Sequence, residues 1–190
     1  MKKSEKKWMS LVKKLNLILS SIVLIFFIST SFSNSFDFDF GETMVVSGKA
    51  IIIDGDTIRI NKKKIRLYGI DAPELKQTCG WVFVRGCGEE SKWNLEQILK
   101  NEIITCFYKQ KDKYGRIIGI CYVGELDHIP ILMLSPQFEI NGVMVNMGLA
   151  IAYKRYSNRY IKLEDDAKKN KRGVWKGKFE KPEEWRKKNK

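Results

Sequence analysis

Four charged side chains near the middle of the chain are the groups best suited to chemistry. Asp56 and Asp71 each lie at the edge of a run of β-forming residues. If the strands pair, the two carboxylates lie side by side, and they then favour a cation between them because like charges cannot share a dry site unpaired. Oxygen ligands favour a hard cation, Ca²⁺ or Mg²⁺, over zinc. Arg66 can clamp phosphate oxygens and Glu74 can hold a water or accept its proton, so the group is typical of phosphate-cleaving sites.

The residues around these groups predict a tight antiparallel meander. Its three strands are Lys49–Ile53, Thr57–Ile60 and Lys64–Tyr68. They alternate in polarity and are separated by turn residues, which is the pattern of short strands joined by tight turns. Asp54 is expected to shape the first turn, because Asp-Gly is common turn chemistry.

Five segments, taken in order, resemble the staphylococcal nuclease (thermonuclease) family. They are D-G-D-T from Asp54, R-L-Y-G-I-D-A-P-E from Arg66, Asp112–Arg116, Asn141–Ala150 and Ala167–Trp175. Each motif alone is modest, but five in the same order are specific. The resemblance extends from Val45 to Trp175, which is nearly all of the chain after its N-terminal segment.

The resemblance implies a ligand set and catalytic roles. Asp56, Asp71 and the main-chain carbonyl of Ala72 would hold a single Ca²⁺, although the staphylococcal enzyme has threonine at the third position. Arg66 and Arg116 would stabilise charge on the phosphoryl oxygens. Glu74 would orient or deprotonate the attacking water. For each side chain the alternative is an ordinary turn or surface charge.

Two tyrosines are weaker candidates for substrate binding. Tyr153 and Tyr156 could stack on a base, as aromatic residues do in single-strand binding. The alternative is that both are half-buried packing residues. His128 is treated as incidental.

The predicted fold class is α+β, an OB-fold five-stranded β-barrel of the staphylococcal nuclease type with about three helices. Two further strands, Ile103–Lys109 and Arg116–Val123, follow the meander. The three predicted helices are Glu89–Asn101, Phe138–Met147 and Tyr160–Lys171. An apolar run, Ile129–Leu134, could form a short extra strand. We expect this domain to cover residues 44–176, followed by a basic tail at 177–190 in which a short helix is an option.

The N-terminal segment is typical of exported proteins. Six lysines and one glutamate precede an apolar, uncharged run at residues 15–32. This pattern indicates a signal peptide, residues 1–33, or an uncleaved membrane anchor, followed by a linker at 34–43. The chain has a net charge of +13, and +8 remains after residues 1–33, which suits a polyanionic partner.

The four cysteines all follow this segment, and an even number in an exported chain suggests disulfides. A hairpin whose turn is centred between Lys113 and Tyr114 places Cys106 opposite Cys121. Cys79 and Cys87 would then close a local loop. Zinc is the competing interpretation, but the chain has no C-x-x-C pair and one histidine.

The sequence therefore favours a Ca²⁺-dependent nuclease that acts as a monomer and hydrolyses DNA and RNA with low sequence specificity. We expect the protein to be exported, either secreted or periplasmic, or attached to a membrane through residues 15–32. The rival hypothesis is a non-catalytic OB module that binds nucleic acid or a protein. All five charged positions of the motif are present, which favours the enzyme.

Overall fold

The computed structural model describes residues 43–80, 86–129 and 134–189. The predicted signal or anchor, nearly all of the predicted linker, and most of the Ile129–Leu134 run lie outside the described residues. Among the helices described, none combines the length and the apolar composition needed to cross a membrane.

The described part of the chain contains seven strands and four α-helices. The strands are β1 Met44–Ile52, β2 Thr57–Ile60, β3 Lys63–Leu67, β4 Ile70–Asp71, β5 Ile103–Lys111, β6 Ile117–Val123 and β7 Ile151–Ala152. The helices are α1 Cys87–Leu99, α2 Ile140–Asn146, α3 Ile161–Lys169 and α4 Pro182–Lys188.

Five of the strands close into a barrel in the order β1-β2-β3-β6-β5, with β5 returning to β1. The β3–β6 pair is parallel, and the other neighbours are antiparallel. This confirms the predicted α+β, OB-type barrel. The three predicted helices are present with slightly different ends, and the short helix in the tail is a fourth.

The alternation along each strand fills the barrel. Ile58, Ile60, Ile65 and Leu67 point inward from β2 and β3 and are almost completely buried. The polar positions between them, such as Arg66, face outward, because neighbouring residues of a strand point to opposite faces. Leu95 of α1 belongs to the same core and is completely buried.

Both predicted disulfides are present, and the described residues contain no free cysteine. Cys106 and Cys121 lie directly opposite each other on β5 and β6. The pairing shifts by one residue between Tyr108 and Gln110, so the hairpin carries a bulge nearer its turn. Cys79–Cys87 joins the loop after β4 to the first residue of α1.

Candidate active site

The first carboxylate is positioned by a tight turn between β1 and β2. Asp54 Oδ1 accepts the N–H of Asp56 at 3.0 Å, so Asp54 shapes the turn as the sequence predicted. Gly55 packs so closely that a Cβ there would lie 2.1 Å from the Ser91 hydroxyl oxygen and 2.8 Å from the Cβ of Ala72. The absent side chain therefore lets the turn lie against α1, with Asp56 almost fully buried beside Ala72.

The second carboxylate is positioned by a two-stranded ladder outside the barrel. β4 pairs antiparallel with β7, and Asp71 lies opposite Ile151. The N–H of Ala72, the next residue, donates to Asp56 Oδ2 at 2.8 Å. This backbone bond brings the two acidic segments together, and Asp71 is completely buried.

Arg66 joins the two carboxylates. From the outer face of β3, its Nη1 donates to Asp56 Oδ1 at 2.5 Å and its Nη2 donates to Asp71 Oδ1 at 2.9 Å. Burial acts to lower the pKa of Arg66, but the charges of Asp56 and Asp71 raise it overall. The carboxylates thus lie within the span of one guanidinium, which is the side-by-side arrangement that the sequence predicted.

The acidic groups at this site repel one another. Burial raises the pKa of Asp71, and the charge of Asp56 adds to the shift, while Arg186 and Arg66 offset part of it. Burial, and then the charge of Asp56, raise the pKa of Asp54 to about 6. The charge of Asp56 thus opposes ionisation of both Asp54 and Asp71, which favours an added positive charge beside these carboxylates.

Glu74 follows at the turn after β4 and is half-buried. Its main-chain oxygen accepts the N–H of Gln77 at 2.7 Å, and its own N–H donates to the Gln77 side chain at 3.2 Å. Its carboxylate Oε1 accepts from Arg186 at 2.7 Å. Glu74 therefore lies in the same charged cluster as Asp71.

Gly88 of α1 sets the position of Glu74. A Cβ at Gly88 would lie 1.8 Å from the main-chain oxygen of Glu74. Gly88→Ala is therefore expected to lower the free energy of unfolding by about 2 kcal/mol, because the backbone must move. Helix propensity alone predicts the opposite sign, a gain of about 1 kcal/mol. Urea denaturation measures the free energy of unfolding of each variant. Glu89→Ala, at the exposed neighbouring position, is the control. If Gly88→Ala unfolds with the same or a higher free energy than wild type, Gly88 does not lie close to the Glu74 main chain.

Arg116 is held by another partner in this structure. Its Nε donates to Asp112 Oδ2 at 2.8 Å, and its side chain lies over the ring of Tyr114. Burial acts to raise the pKa of Asp112, but hydrogen bonds from Arg116 and Tyr114 lower it overall. Because Arg66 pairs with Ile118 across β3 and β6, Arg116 lies on the same outer face of the barrel as Arg66. Its catalytic role stays a prediction.

The two candidate tyrosines form one aromatic pair at the edge of the site. The rings of Tyr153 and Tyr156 pack edge to face, with centroids 4.8 Å apart. Tyr156 is exposed, whereas Tyr153 is half-buried, and burial followed by the nearby charge of Asp71 raises the pKa of Tyr153. The pair therefore borders the carboxylates, and its role in substrate binding stays a prediction.

Arg186 is the site residue that the sequence analysis missed. It was assigned to a basic tail, but it donates to both Asp71 and Glu74. The sequence held a signal for a helix there. Pro182 and two acidic residues lie in the first turn, and three basic residues lie in the last turn. Proline is favoured at the start of a helix, and these charges interact favourably with the helix dipole at both ends.

The arrangement fits a hard divalent cation. Asp56 and Asp71 each accept a hydrogen bond from the Arg66 guanidinium, and the N–H of Ala72 donates to Asp56 Oδ2. The two carboxylates, with the Ala72 carbonyl that the family resemblance implies as the third ligand, would supply oxygen atoms only, a set that Ca²⁺ or Mg²⁺ accepts. An arginine and a glutamate beside such a cation can bind a phosphate and a water respectively.

Comparisons with known proteins identify the family of this chain. The family described as "Staphylococcal nuclease homologue" matches residues 64–177. The chain is 30% identical over 142 residues to the succinoglycan biosynthesis protein ExoI of Rhizobium meliloti (strain 1021), covering 72% of this chain and 68% of that protein. It is 29% identical over 140 residues to an uncharacterized endonuclease of Escherichia coli, covering 68% of this chain and 77% of that protein. It is 28% identical over 151 residues to a micrococcal nuclease of Shigella flexneri, covering 73% of this chain and 79% of that protein. Since the family match spans more than half of the chain, the protein belongs to the staphylococcal nuclease family.

Proposed function

We propose that this protein is a Ca²⁺-dependent nuclease that hydrolyses phosphodiester bonds of DNA and RNA with low sequence specificity. The observation that carries the proposal is the Arg66 guanidinium between Asp56 and Asp71, with Glu74 in the same cluster. Relatives named as nucleases and endonucleases support the same reaction class.

Asp56, Asp71 and the carbonyl of Ala72 are the residues that would hold the cation. When bound, Ca²⁺ supplies Lewis acidity toward the scissile phosphate. Burial of both carboxylates keeps water from screening their charge, so their pull on a cation is stronger than at an exposed site.

Arg66 and Glu74 act on the substrate side. The Arg66 guanidinium is fixed by two carboxylates before substrate arrives, so its N–H groups need no reorganisation when charge builds on the phosphoryl oxygens. Glu74 accepts a proton from the attacking water or orients it. Arg116 lies on the same face of the barrel and can turn from Asp112 to a phosphate oxygen.

We also propose that the protein is exported. The basic and apolar character of residues 1–33 supports this location. The two disulfides support it too, because such bonds persist in oxidising compartments.

The test is cleavage of single-stranded DNA and RNA oligonucleotides by the oxidised protein in Ca²⁺ and in excess chelator. We expect cleavage at many positions in Ca²⁺ and none in chelator, because Asp56 and Asp71 lose the cation that the site requires. Binding of the oligonucleotide without cleavage, with Ca²⁺, Mg²⁺ or Mn²⁺ added in turn, would contradict the enzyme and favour the non-catalytic OB module.

A further inference from the structure

The C-terminal helix α4 places a second guanidinium on the acidic cluster. Arg186 Nη1 and Nη2 donate to the two carboxylate oxygens of Asp71 at 2.9 and 3.0 Å. Nη1 also donates to Glu74 Oε1 at 2.7 Å. This is the bidentate, planar geometry with which arginine recognises carboxylates and phosphates.

The position of Arg186 is built by tertiary contacts and is not that of a loose tail. The buried side chain of Gln77 donates to the main-chain oxygen of Glu180, just before α4, at 2.6 Å. Phe179 and Trp175 pack edge to face and lie against the cluster that contains the Cys79–Cys87 disulfide. These anchors hold the helix beside the site whatever the guanidinium itself contacts.

Arg186 and a cation compete for the same oxygens. A carboxylate has about four acceptor positions, and on Asp71 Arg186 takes two of them while Arg66 takes a third. The positive charge of Arg186 also opposes a divalent ion at short range. A cation held by Asp71 therefore weakens the hold of Asp71 on Arg186.

We propose that Arg186 is a substrate-binding residue of this site. A divalent cation at Asp56 and Asp71 releases its guanidinium from Asp71, and the released guanidinium binds a phosphate of the nucleic acid. The inference rests on the proposed function. It adds Arg186 to the phosphate contacts proposed for Arg66, whose two terminal nitrogens each already donate one hydrogen bond to a carboxylate.

The test compares full-length wild type with Arg186→Gln, Arg186→Lys and a control, Lys187→Gln. Lys187 lies next along α4, is largely exposed and pairs with Glu183, so its substitution removes the same charge outside the acidic cluster. Calorimetry would give the Kd of Ca²⁺ alone and then the Kd of the mononucleotide dTMP in saturating Ca²⁺.

For Arg186→Gln we expect Ca²⁺ to bind on the order of tenfold more tightly, and dTMP on the order of tenfold more weakly, than to wild type. Arg186→Lys keeps the charge but cannot form the paired hydrogen bonds of a guanidinium. Its Ca²⁺ affinity should therefore stay near wild type while dTMP binding weakens. Lys187→Gln should stay within about twofold of wild type for both ligands.

Two results would overturn the inference: unchanged affinities in Arg186→Gln, or tighter Ca²⁺ binding with unchanged dTMP binding, which would make Arg186 a competitor of the cation alone. If Arg186→Gln does not fold, unchanged dTMP binding by Arg186→Lys overturns it instead. A wild-type protein that neither binds Ca²⁺ nor cleaves DNA would overturn the proposed function and this inference together. If the wild-type protein cleaves DNA but Arg186→Gln binds Ca²⁺ and dTMP as the wild type does, only the inference about Arg186 is overturned.

Discussion

Arg66→Ala is expected to cleave single-stranded DNA about a thousandfold more slowly than wild type in saturating Ca²⁺. The reason is that Arg66 is fixed between Asp56 and Asp71, and the proposed mechanism uses its charge to stabilise the phosphate as negative charge develops. Its removal leaves both carboxylates in place, so the affinity for Ca²⁺ should be no lower than in wild type. The measurement is kcat for a labelled oligonucleotide, with Ca²⁺ affinity determined separately.

Stability must be separated from catalysis in this variant. Removing one partner of a buried ion pair costs about 3–5 kcal/mol, and the remaining carboxylates repel each other. Ca²⁺ binding offsets part of this loss, so rates are compared well below the unfolding temperature measured in Ca²⁺. Arg59→Ala, which removes an arginine from β2 on the same outer face, is the matched control and should retain its rate. An Arg66→Ala enzyme with more than about a tenth of the wild-type rate would contradict the assigned role.

The parts of the fold that the sequence predicted are those that depend on local pairing. The meander and the β5–β6 hairpin connect strands that are close in sequence, and their turns are marked by Asp54-Gly55, Asn61-Lys62 and Tyr114-Gly115. The hairpin geometry also allowed the Cys106–Cys121 disulfide to be predicted from residue positions. The bulge near Gln110 was not predicted, because it depends on how the barrel closes.

The parts that escaped prediction depend on contacts between distant segments. Ala150–Tyr153 reads as a short extended segment, but its pairing with β4 was not predicted, because each strand has two residues, too few to show any alternation. Arg186 reaches Asp71 across 115 positions of sequence, so no local pattern could show the contact. Conversely, the motif containing Arg116 gives no sign that Asp112 holds this arginine in the structure.

A buried glutamate organises the segment that carries the two tyrosines. Glu139 is fully buried at the start of α2 and accepts hydrogen bonds from the hydroxyl groups of Tyr122, at 2.9 Å, and Tyr160. Arg159 Nε also donates to Glu139 Oε2 at 3.0 Å. Burial, and then the charge of Glu139, raise the pKa of Tyr160, so its hydroxyl stays a donor at neutral pH.

Glu139→Gln is expected to lower the free energy of unfolding by about 3 kcal/mol or more, although the side chains have nearly the same shape. The variant leaves the Arg159 charge unpaired in a half-buried position. It also turns an amide N–H₂ group toward Tyr122, Tyr160 and Arg159, all of which donate hydrogen bonds to Glu139 in the wild type. Urea denaturation at neutral pH measures the loss.

The comparison that isolates this network uses an exposed glutamate and a double variant. Glu96→Gln removes the partner of Lys92, an exposed pair 4.0 Å apart on α1, and should cost less than about 0.5 kcal/mol. Glu139→Gln combined with Arg159→Met should lose less than the sum of the single losses, because the second change removes the unpaired charge. Additive losses would mean that Glu139 and Arg159 are independent. Since Arg159 and Tyr160 follow shortly after Tyr153 and Tyr156 in the chain, coupling would show that Glu139 anchors the end of the segment that carries the aromatic pair.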